Sequence, residues 1–257
     1  MGMEYIKKNI IIFGGTNGVG LELAKKLLAE GAKILIICKS KKNIQKAHAV
    51  LGKEKNYKII VNDCYKFNNK IIHKFCKNFL TSKIDHLVSF LGTGKVEFGN
   101  SKSLKNWKDV FDKNFFVNVN IVNEFLKYFK KKDFSSSIIL TGAIAGVERL
   151  RAPMTYSIAK TALIVYANHL SENLIKNKIR VFSVSPGNIF FKGGRWEQIQ
   201  KKNKKHVSNF LKENVGMQRF GKPGEVALIY YNLMSSFNKF MTGNNIIVDG
   251  LQTKKIL

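Results

Sequence analysis

Residues 9–20 read NIIIFGGTNGVG, an apolar run that leads directly into a glycine-rich loop. The run 9–13 has the length and the β-branched content of a buried parallel strand. Gly14, Gly18 and Gly20 give the spacing Gly-x-x-x-Gly-x-Gly. Glycine at such positions lets the backbone turn tightly and approach a phosphate without a Cβ in the way. The stretch therefore predicts a strand, then a loop that binds the phosphates of a dinucleotide.

A helix is predicted immediately after this loop, over 20–30, because its apolar residues fall on one face. The N-terminus of a helix presents unpaired N–H groups to an anion, which is the context that a glycine-rich phosphate loop requires. The predicted contacts to the phosphates come from the loop residues Gly14, Thr16, Asn17, Gly18, Val19 and Gly20.

Apolar runs and helical patterns alternate along the rest of the chain. The further predicted strands are 33–38, 57–62, 86–91, 137–141, 180–185 and 245–248, and the further predicted helices are 107–129, 154–177 and 225–235. This alternation favours an α/β fold, a doubly wound sheet with right-handed crossovers. We predict one Rossmann-fold domain over 1–257, with a mostly parallel seven-stranded sheet and helices on both faces. The lysine-rich region 193–221 lies outside the alternation, and we predict an inserted helical substrate lid over 190–221.

The charge of the chain is strongly basic, with 44 Lys+Arg against 17 Asp+Glu and a formal net charge of +27. Only five of the basic residues are arginines. Two interpretations stay open: a coding bias toward AT-rich codons, and attraction to an acidic partner such as nucleic acid, a carrier protein or a phosphorylated substrate. Lysine without arginine is a poor signature for base recognition, and no nucleic-acid motif stands in the chain.

The cysteines, histidines and apolar runs bear on the cellular compartment, on metal binding and on membrane association. Three cysteines without a Cys-x-x-Cys pair fit a reducing compartment, so we expect a cytoplasmic protein. The five histidines show no metal-ligand spacing, and we expect no metal. No apolar run approaches the ~20 residues that a membrane span needs, so no membrane association is expected.

Tyr156 and Lys160 form the pattern Tyr-x-x-x-Lys within the predicted helix 154–177. Residues four apart share one face of a helix. A phenol titrates near ~10, and a neighbouring ammonium is expected to lower that pKa. Tyr156 could then exchange a proton with a substrate oxygen while hydride moves to or from a nicotinamide.

The end of the second predicted strand bears on the nucleotide. A site for NAD usually places an acidic residue there, against the ribose 2′-hydroxyl. Here Lys39 and Ser40 follow instead, and they could bind a 2′-phosphate by charge and hydrogen bond. One more lysine in a lysine-rich chain is the alternative explanation. We predict NADP(H) in preference to NAD(H).

Together, the glycine loop and the Tyr-x-x-x-Lys pattern resemble the short-chain dehydrogenase/reductase family, in its 3-oxoacyl carrier-protein reductase branch. The resemblance implies that Tyr156 is the general acid/base, that Lys160 tunes it and binds ribose, and that Asn114 supports a helix kink and a proton relay. It also implies a homo-oligomer, either a tetramer or a dimer. The remaining cofactor contacts implied by the resemblance are Asp63 at the adenine, Gly92, and Pro186, Gly187 and Ile189 beside the nicotinamide carboxamide.

Several positions depart from the family pattern. Ser89-Phe90-Leu91-Gly92 replaces Asn-Asn-Ala-Gly, Phe191 replaces a threonine, and Ala143 occupies the position of the catalytic serine. Alanine cannot donate a hydrogen bond, and the loss of one such donor costs on the order of 10²–10³ in rate. Thr141, two residues earlier, is a candidate replacement donor.

These observations leave three functions in order of preference. The first is an NADP(H)-dependent oxidoreductase that interconverts a ketone and a secondary alcohol, acting on a small molecule that is free, acidic or bound to a carrier protein. The second is a nucleotide-binding protein with little or no catalysis, because the serine is missing. The third, nucleic-acid binding, rests on charge alone.

Overall fold

The computed structural model describes residues 4–52, 55–96 and 103–254. In this part of the chain, seven parallel strands form one sheet in the order β3-β2-β1-β4-β5-β6-β7. The strands are β1 (Asn9–Phe13), β2 (Lys33–Cys38), β3 (Tyr57–Val61), β4 (His86–Ser89), β5 (Ser136–Thr141), β6 (Ile179–Pro186) and β7 (Asn245–Val248). The helices are α1 (Gly18–Ala29), α2 (Ile44–Leu51), α3 (Lys70–Asn78), α4 (Leu104–Phe111), α5 (Val117–Phe125), α6 (Met154–Leu174), α7 (Arg195–Lys202), α8 (Lys204–Asn214) and α9 (Pro223–Met234).

The central strands are continuous apolar runs because both faces of the sheet are covered. Every residue of β1 is buried, and the alternate side chains Ile11 and Ile12 enter opposite cores. One core contains buried residues of α1, α2 and α9, and the other contains buried residues of α3, α5 and α6. The predicted doubly wound fold with a seven-stranded parallel sheet is confirmed.

The sequence placed the strands closely and missed two helices. The bounds of β1, β2 and β7 coincide with the predicted ones, whereas β4 ends two residues early, at Ser89. The unpredicted helices are α2 and α3, which each bury only two side chains. Two buried positions make too weak a period for a helix to be recognised from the sequence.

The predicted helix 107–129 is interrupted by a π-helical turn. The helix α4 passes into a π turn over Asp112–Phe116, and α5 continues from it. The π turn contains Asn114 at its centre, where the sequence resemblance implied a kink. Such insertions occur frequently at functional sites.

The sheet reverses its direction of winding between β1 and β4, which are hydrogen-bonded neighbours. In open α/β sheets, ligands bind in the crevice beyond the carboxyl ends of the strands at this reversal. The loops after β1 and β4 therefore flank the expected ligand site.

The segment 190–221 leaves the sheet and returns to the same place. Ile189 and Gly221 form an isolated parallel bridge that joins its two ends. Within it, α7 and α8 pack through Trp196, whose ring centroid lies 4.7 Å from that of Phe210 and 4.8 Å from that of Phe220. The segment 190–221 thus packs around an aromatic cluster of its own.

Across the described residues, no helix is both long enough and apolar enough to cross a membrane. Cys38, Cys64 and Cys76 are all buried and free.

Candidate active site

The loop after β1 needs glycine at two positions for two physical reasons. Gly14 has φ +88°, a left-handed conformation that side chains rarely adopt. At Gly20, a Cβ would lie 2.6 Å from the Gly14 carbonyl oxygen. Helix α1 can therefore start this close to the loop only when residue 20 lacks a side chain.

The N-terminus of α1 is left open toward the loop. Asn17 precedes the helix in an extended conformation and makes no capping hydrogen bond with its side chain, and no acidic residue stands in the first turn. Thr16 is buried in the loop, and Val19 in the first turn is half-buried and packs against the core. An uncapped helix start next to a close-packed glycine loop fits the diphosphate of a dinucleotide.

Lys39 lies just beyond β2, with 60% of its side chain exposed. Its Nζ lies 3.5 Å from Asp63 Oδ2 and 4.9 Å from the centroid of the Tyr65 ring. Ser40 is exposed beside it. A second ammonium, which no sequence motif indicated, lies close to the glycine loop: Lys46 of α2 donates to Asn17 Oδ1 at 3.3 Å.

Asp63 also stabilises the backbone turn that follows it. Its Oδ1 accepts a hydrogen bond from the Tyr65 backbone N–H and caps a short 3₁₀ turn. Tyr65 extends from this turn to the loop after β4, where the Gly92 N–H donates to its hydroxyl at 3.2 Å. The expected adenine contact at Asp63 stays a prediction, and the structure adds Tyr65 to the crevice.

Tyr156 and Lys160 lie in the first two turns of α6, with Lys160 only 3% exposed. The Lys160 Nζ donates to the Thr141 carbonyl oxygen at 2.7 Å, at the carboxyl end of β5. This bond ties α6 to the edge of the sheet and fixes the position of the ammonium.

Asn114 reaches the same place from the π turn. Its Nδ2 donates to the Val110 carbonyl, and its Oδ1 accepts from the Thr93 N–H at 2.9 Å. Gly92 separates Asn114 from Lys160 so narrowly that a Cβ there would lie 2.9 Å from both Asn114 Oδ1 and Lys160 Nζ. The structure thus brings together three predicted site residues from α6, the π turn and the loop after β4.

The protonation of this group differs from the expectation. Burial raises the pKa of Tyr156 to about 12, and the positive charge of Arg195 opposes that rise only in part. Burial lowers the pKa of Lys160 to about 8. The expected net lowering of the Tyr156 pKa is therefore wrong for this structure, because desolvation of the phenolate outweighs the positive charge of Arg195.

Comparison with known proteins adds a family to this geometry. A family profile described as enoyl-(acyl carrier protein) reductase matches residues 14–250. The chain belongs to the short-chain dehydrogenase/reductase family. It is an NAD(P)-dependent oxidoreductase of this family.

Individual relatives are distant but cover nearly the whole chain. Dehydrogenase/reductase SDR family member 4 of Mus musculus is 28% identical over 251 residues, which are 95% of this chain and 86% of that protein. The 3-oxoacyl-[acyl-carrier-protein] reductase of Chlamydia trachomatis is 24% identical over 95% of this chain and 97% of its own length. L-sorbose reductase of Gluconobacter frateurii, solved with NADPH and L-sorbose, superposes with a TM-score of 0.88 at 24% identity, over 100% of both chains.

The hydroxyl of Thr141, the candidate replacement donor, is bound within the protein. The Thr141 hydroxyl donates to the Ser89 carbonyl at 2.6 Å and lies 2.8 Å from the Tyr230 hydroxyl. Its single proton is therefore committed to the backbone of β4. Ala143 is itself buried and stands just before a 3₁₀ turn.

Two side chains of the altered segment Ser89-Phe90-Leu91-Gly92 contact other parts of the site. Ser89 donates to Asn118 Oδ1 at 2.6 Å, and Phe90 packs on the glycine loop, since a Cβ at Gly14 would lie 3.1 Å from Phe90 Cβ. Phe191 packs on the same loop from the lid, because a Cβ at Gly18 would meet its ring at 3.2 Å. Two aromatic residues thus close around the glycines.

The segment after β6 lies at the same edge of the sheet. Pro186 ends β6, and Gly187 is so close to Gln252 that a Cβ would lie 2.2 Å from Oε1. Gln252 Oε1 in turn accepts a hydrogen bond from the Asn188 N–H at 2.7 Å. Ile189 then starts the lid through its bridge to Gly221. The role of this segment beside the carboxamide stays a prediction.

Arg195, which the sequence analysis did not select, faces the site from α7. Its Nη1 donates to the Gly94 carbonyl at 2.8 Å, two residues beyond Gly92. The sequence signal that could have found it is the rarity of arginine among the basic residues.

Proposed function

We propose that this protein is an NADP(H)-dependent oxidoreductase that interconverts a ketone and a secondary alcohol. The observation that carries the proposal is the meeting of Lys160 and Asn114 at Gly92, one helical turn from Tyr156, beyond the carboxyl ends of β4 and β5.

The residues divide the work as follows. Bound nicotinamide would supply the hydride for the carbonyl carbon, or accept it in the reverse direction. The Tyr156 hydroxyl, protonated at neutral pH because its pKa is about 12, donates a proton to the carbonyl oxygen. Lys160 holds an ammonium at a fixed position for the ribose, and Asn114 holds the π turn against the Thr93 backbone.

The preference for NADP(H) is supported by charge at the end of β2. Lys39 is exposed, and its ion pair with Asp63 is therefore weak enough for a phosphate to compete with it. Lys46 adds a second positive charge close to the phosphate loop. No acidic side chain stands immediately after β2 to bind a ribose 2′-hydroxyl, since Lys39 and Ser40 occupy those positions.

Titration with NADPH and NADH, followed by nicotinamide fluorescence, tests both parts of the proposal. We expect NADPH to bind at least tenfold more tightly than NADH. In the variant Lys39→Gln this preference should fall severalfold, while NADH affinity is unchanged. Lys58→Gln is the matched control, because it removes an equal charge from an exposed position in β3.

The outcomes separate the claims. An NADH preference would refute the 2′-phosphate site and leave the oxidoreductase standing. Binding of neither nucleotide would refute the whole proposal. Unchanged discrimination in Lys39→Gln would reassign the phosphate contact, with Lys46 as the next residue to substitute.

A second function, nucleotide binding without appreciable catalysis, is favoured by one observation. Ala143 has no hydroxyl, and the Thr141 hydroxyl is already bound to the Ser89 carbonyl. Tight NADPH binding without NADPH oxidation, across a panel of ketones and aldehydes at millimolar concentration, would establish this function. Turnover of any member of the panel that is lost in Tyr156→Phe would exclude it.

We also propose that 190–221 is the substrate lid, since its helix α7 carries Arg195 to the loop after β4.

We propose further that the protein is a homo-oligomer. Met154, Ile158 and Val165 project as exposed apolar side chains along α6, and Phe116 of the π turn is exposed as well. A buried interface would remove these side chains from water. Light scattering should therefore give a dimer or tetramer that Val165→Glu weakens, and a native monomer would refute it.

A further inference from the structure

A cavity of about 500 Å³ lies between the lid and the loop after β4. It is lined by Gly94, Lys95 and Val96 of that loop and by Arg195, Gln198, Ile199 and Lys202 of α7. Every charged side chain among these described residues is basic. Two different segments thus bring three cations to one cavity.

Arg195 is the informative member of this group, because lysine is abundant here and arginine is not. Two of the other arginines have clear structural partners. Arg180 is buried and donates to backbone carbonyls at the end of α9, and Arg219 forms a two-pronged pair with Glu225. The hydrogen bond described for Arg195 goes instead to the neutral carbonyl of Gly94. A guanidinium has five donors, so this one keeps capacity for a further acceptor.

The cavity adjoins the proposed reaction site. Gly94 lies two residues after Gly92, where an added Cβ would lie 2.9 Å from both Lys160 Nζ and Asn114 Oδ1. The charge of Arg195 also lowers the pKa of Tyr156 against the effect of burial, so the guanidinium and the hydroxyl interact electrostatically. A molecule whose carbonyl lies at Tyr156 could extend into this cavity.

We propose that the substrate carries a carboxylate or phosphate group and that Arg195, supported by Lys95 and Lys202, binds that group. This inference rests on the proposed function, since it specifies the substrate of the same site. A planar guanidinium matches both oxyanions with two parallel hydrogen bonds, and the lysines add charge without that geometry.

Matched pairs of ketones test the proposal at saturating NADPH. The carboxylate arm compares 4-oxopentanoate with its methyl ester, and the phosphate arm compares dihydroxyacetone phosphate with dihydroxyacetone. In at least one arm, we expect kcat/KM to favour the charged member by tenfold or more. Arg195→Gln should reduce that ratio at least tenfold, because the loss of kcat/KM falls on the charged member far more than on the neutral one.

Lys205→Gln is the matched control, because it removes a charge from exposed α8 without touching the cavity. It should leave the ratio within twofold of the native value. The NADPH Kd of Arg195→Gln should also stay within twofold. A large loss of NADPH affinity would show that Arg195 binds the cofactor, which would overturn the proposal.

Calorimetric titration with the same four compounds, in the presence of NADPH, separates this inference from the proposed function. Anion binding that Arg195→Gln abolishes, without turnover, would support the anion site and count against the oxidoreductase. Turnover with no preference for either anion, or a preference that survives Arg195→Gln, would overturn the anion site and leave the oxidoreductase standing. Absence of anion binding by calorimetry, with no turnover, would overturn the anion site as well.

Discussion

Gly92→Ala adds one methyl group at the point where Lys160 and Asn114 meet. The new Cβ would lie 2.9 Å from Lys160 Nζ and 2.9 Å from Asn114 Oδ1, whereas ordinary contact begins near 3.4 Å. Each polar atom must therefore retreat by about half an ångström. Lys160 is buried and already bonded to the Thr141 carbonyl at 2.7 Å, so its retreat disturbs that bond.

The effect of Gly92→Ala on stability and on NADPH affinity has two causes, the strained backbone and the displaced side chains. Gly92 has φ +147°, and alanine in such a conformation costs ~1–3 kcal/mol in stability. Misplacing the Lys160 ammonium, which we propose binds ribose, would remove a charge-assisted hydrogen bond worth ~1.5–3 kcal/mol. We therefore expect NADPH affinity to fall about 10- to 100-fold and Tm to fall by several degrees.

Gly52→Ala isolates the backbone part. Gly52 has φ +74° and ψ −167°, which is also a glycine-only conformation, but a Cβ there would meet no described residue within 4 Å. Differential scanning calorimetry should show a similar strain cost in both variants, and fluorescence titration should show weakened NADPH binding only in Gly92→Ala. Native NADPH affinity in a folded Gly92→Ala protein would refute the described contact among Gly92, Lys160 and Asn114.

Two further predictions concern the same site. Ala143→Ser, at an extended position before a 3₁₀ turn, should raise kcat for a reducible ketone ~10²-fold with NADPH affinity unchanged, because it supplies a donor where the family resemblance places the catalytic serine. An unchanged kcat would mean that another group already donates, and Ala145→Ser is the control. The pKa of Lys160 is about 8 in the folded state, against an ordinary 10.5. Between pH 8 and pH 10.5, the folded state therefore binds fewer protons than the unfolded state. Raising the pH in this range stabilises the folded state. Urea unfolding from pH 7.5 to 10.5 should show native stability rising by about 3 kcal/mol relative to Lys160→Met, and parallel pH profiles of the two proteins would contradict the depressed pKa.

Local patterns predicted much of this protein. The apolar run 9–13 became β1 with the predicted bounds, and the glycines after it formed the close turn into α1. Such features depend on backbone conformation and on burial, which a short stretch of sequence encodes directly. The kink at Asn114 was implied by resemblance alone, because no local pattern distinguishes a π turn from the surrounding helix.

The sequence by itself therefore determined the doubly wound sheet, the glycine loop before α1 and the placement of Tyr156 and Lys160 on one helix, since each follows from periodicity or from spacing along one element. Only the tertiary structure decided which groups meet. It placed Arg195, 101 residues from Gly94 in the chain, on that carbonyl, and it committed the Thr141 hydroxyl to β4. It also reversed the expected shift of the Tyr156 pKa. These properties depend on desolvation and on contacts between distant segments, which spacing along the chain does not specify.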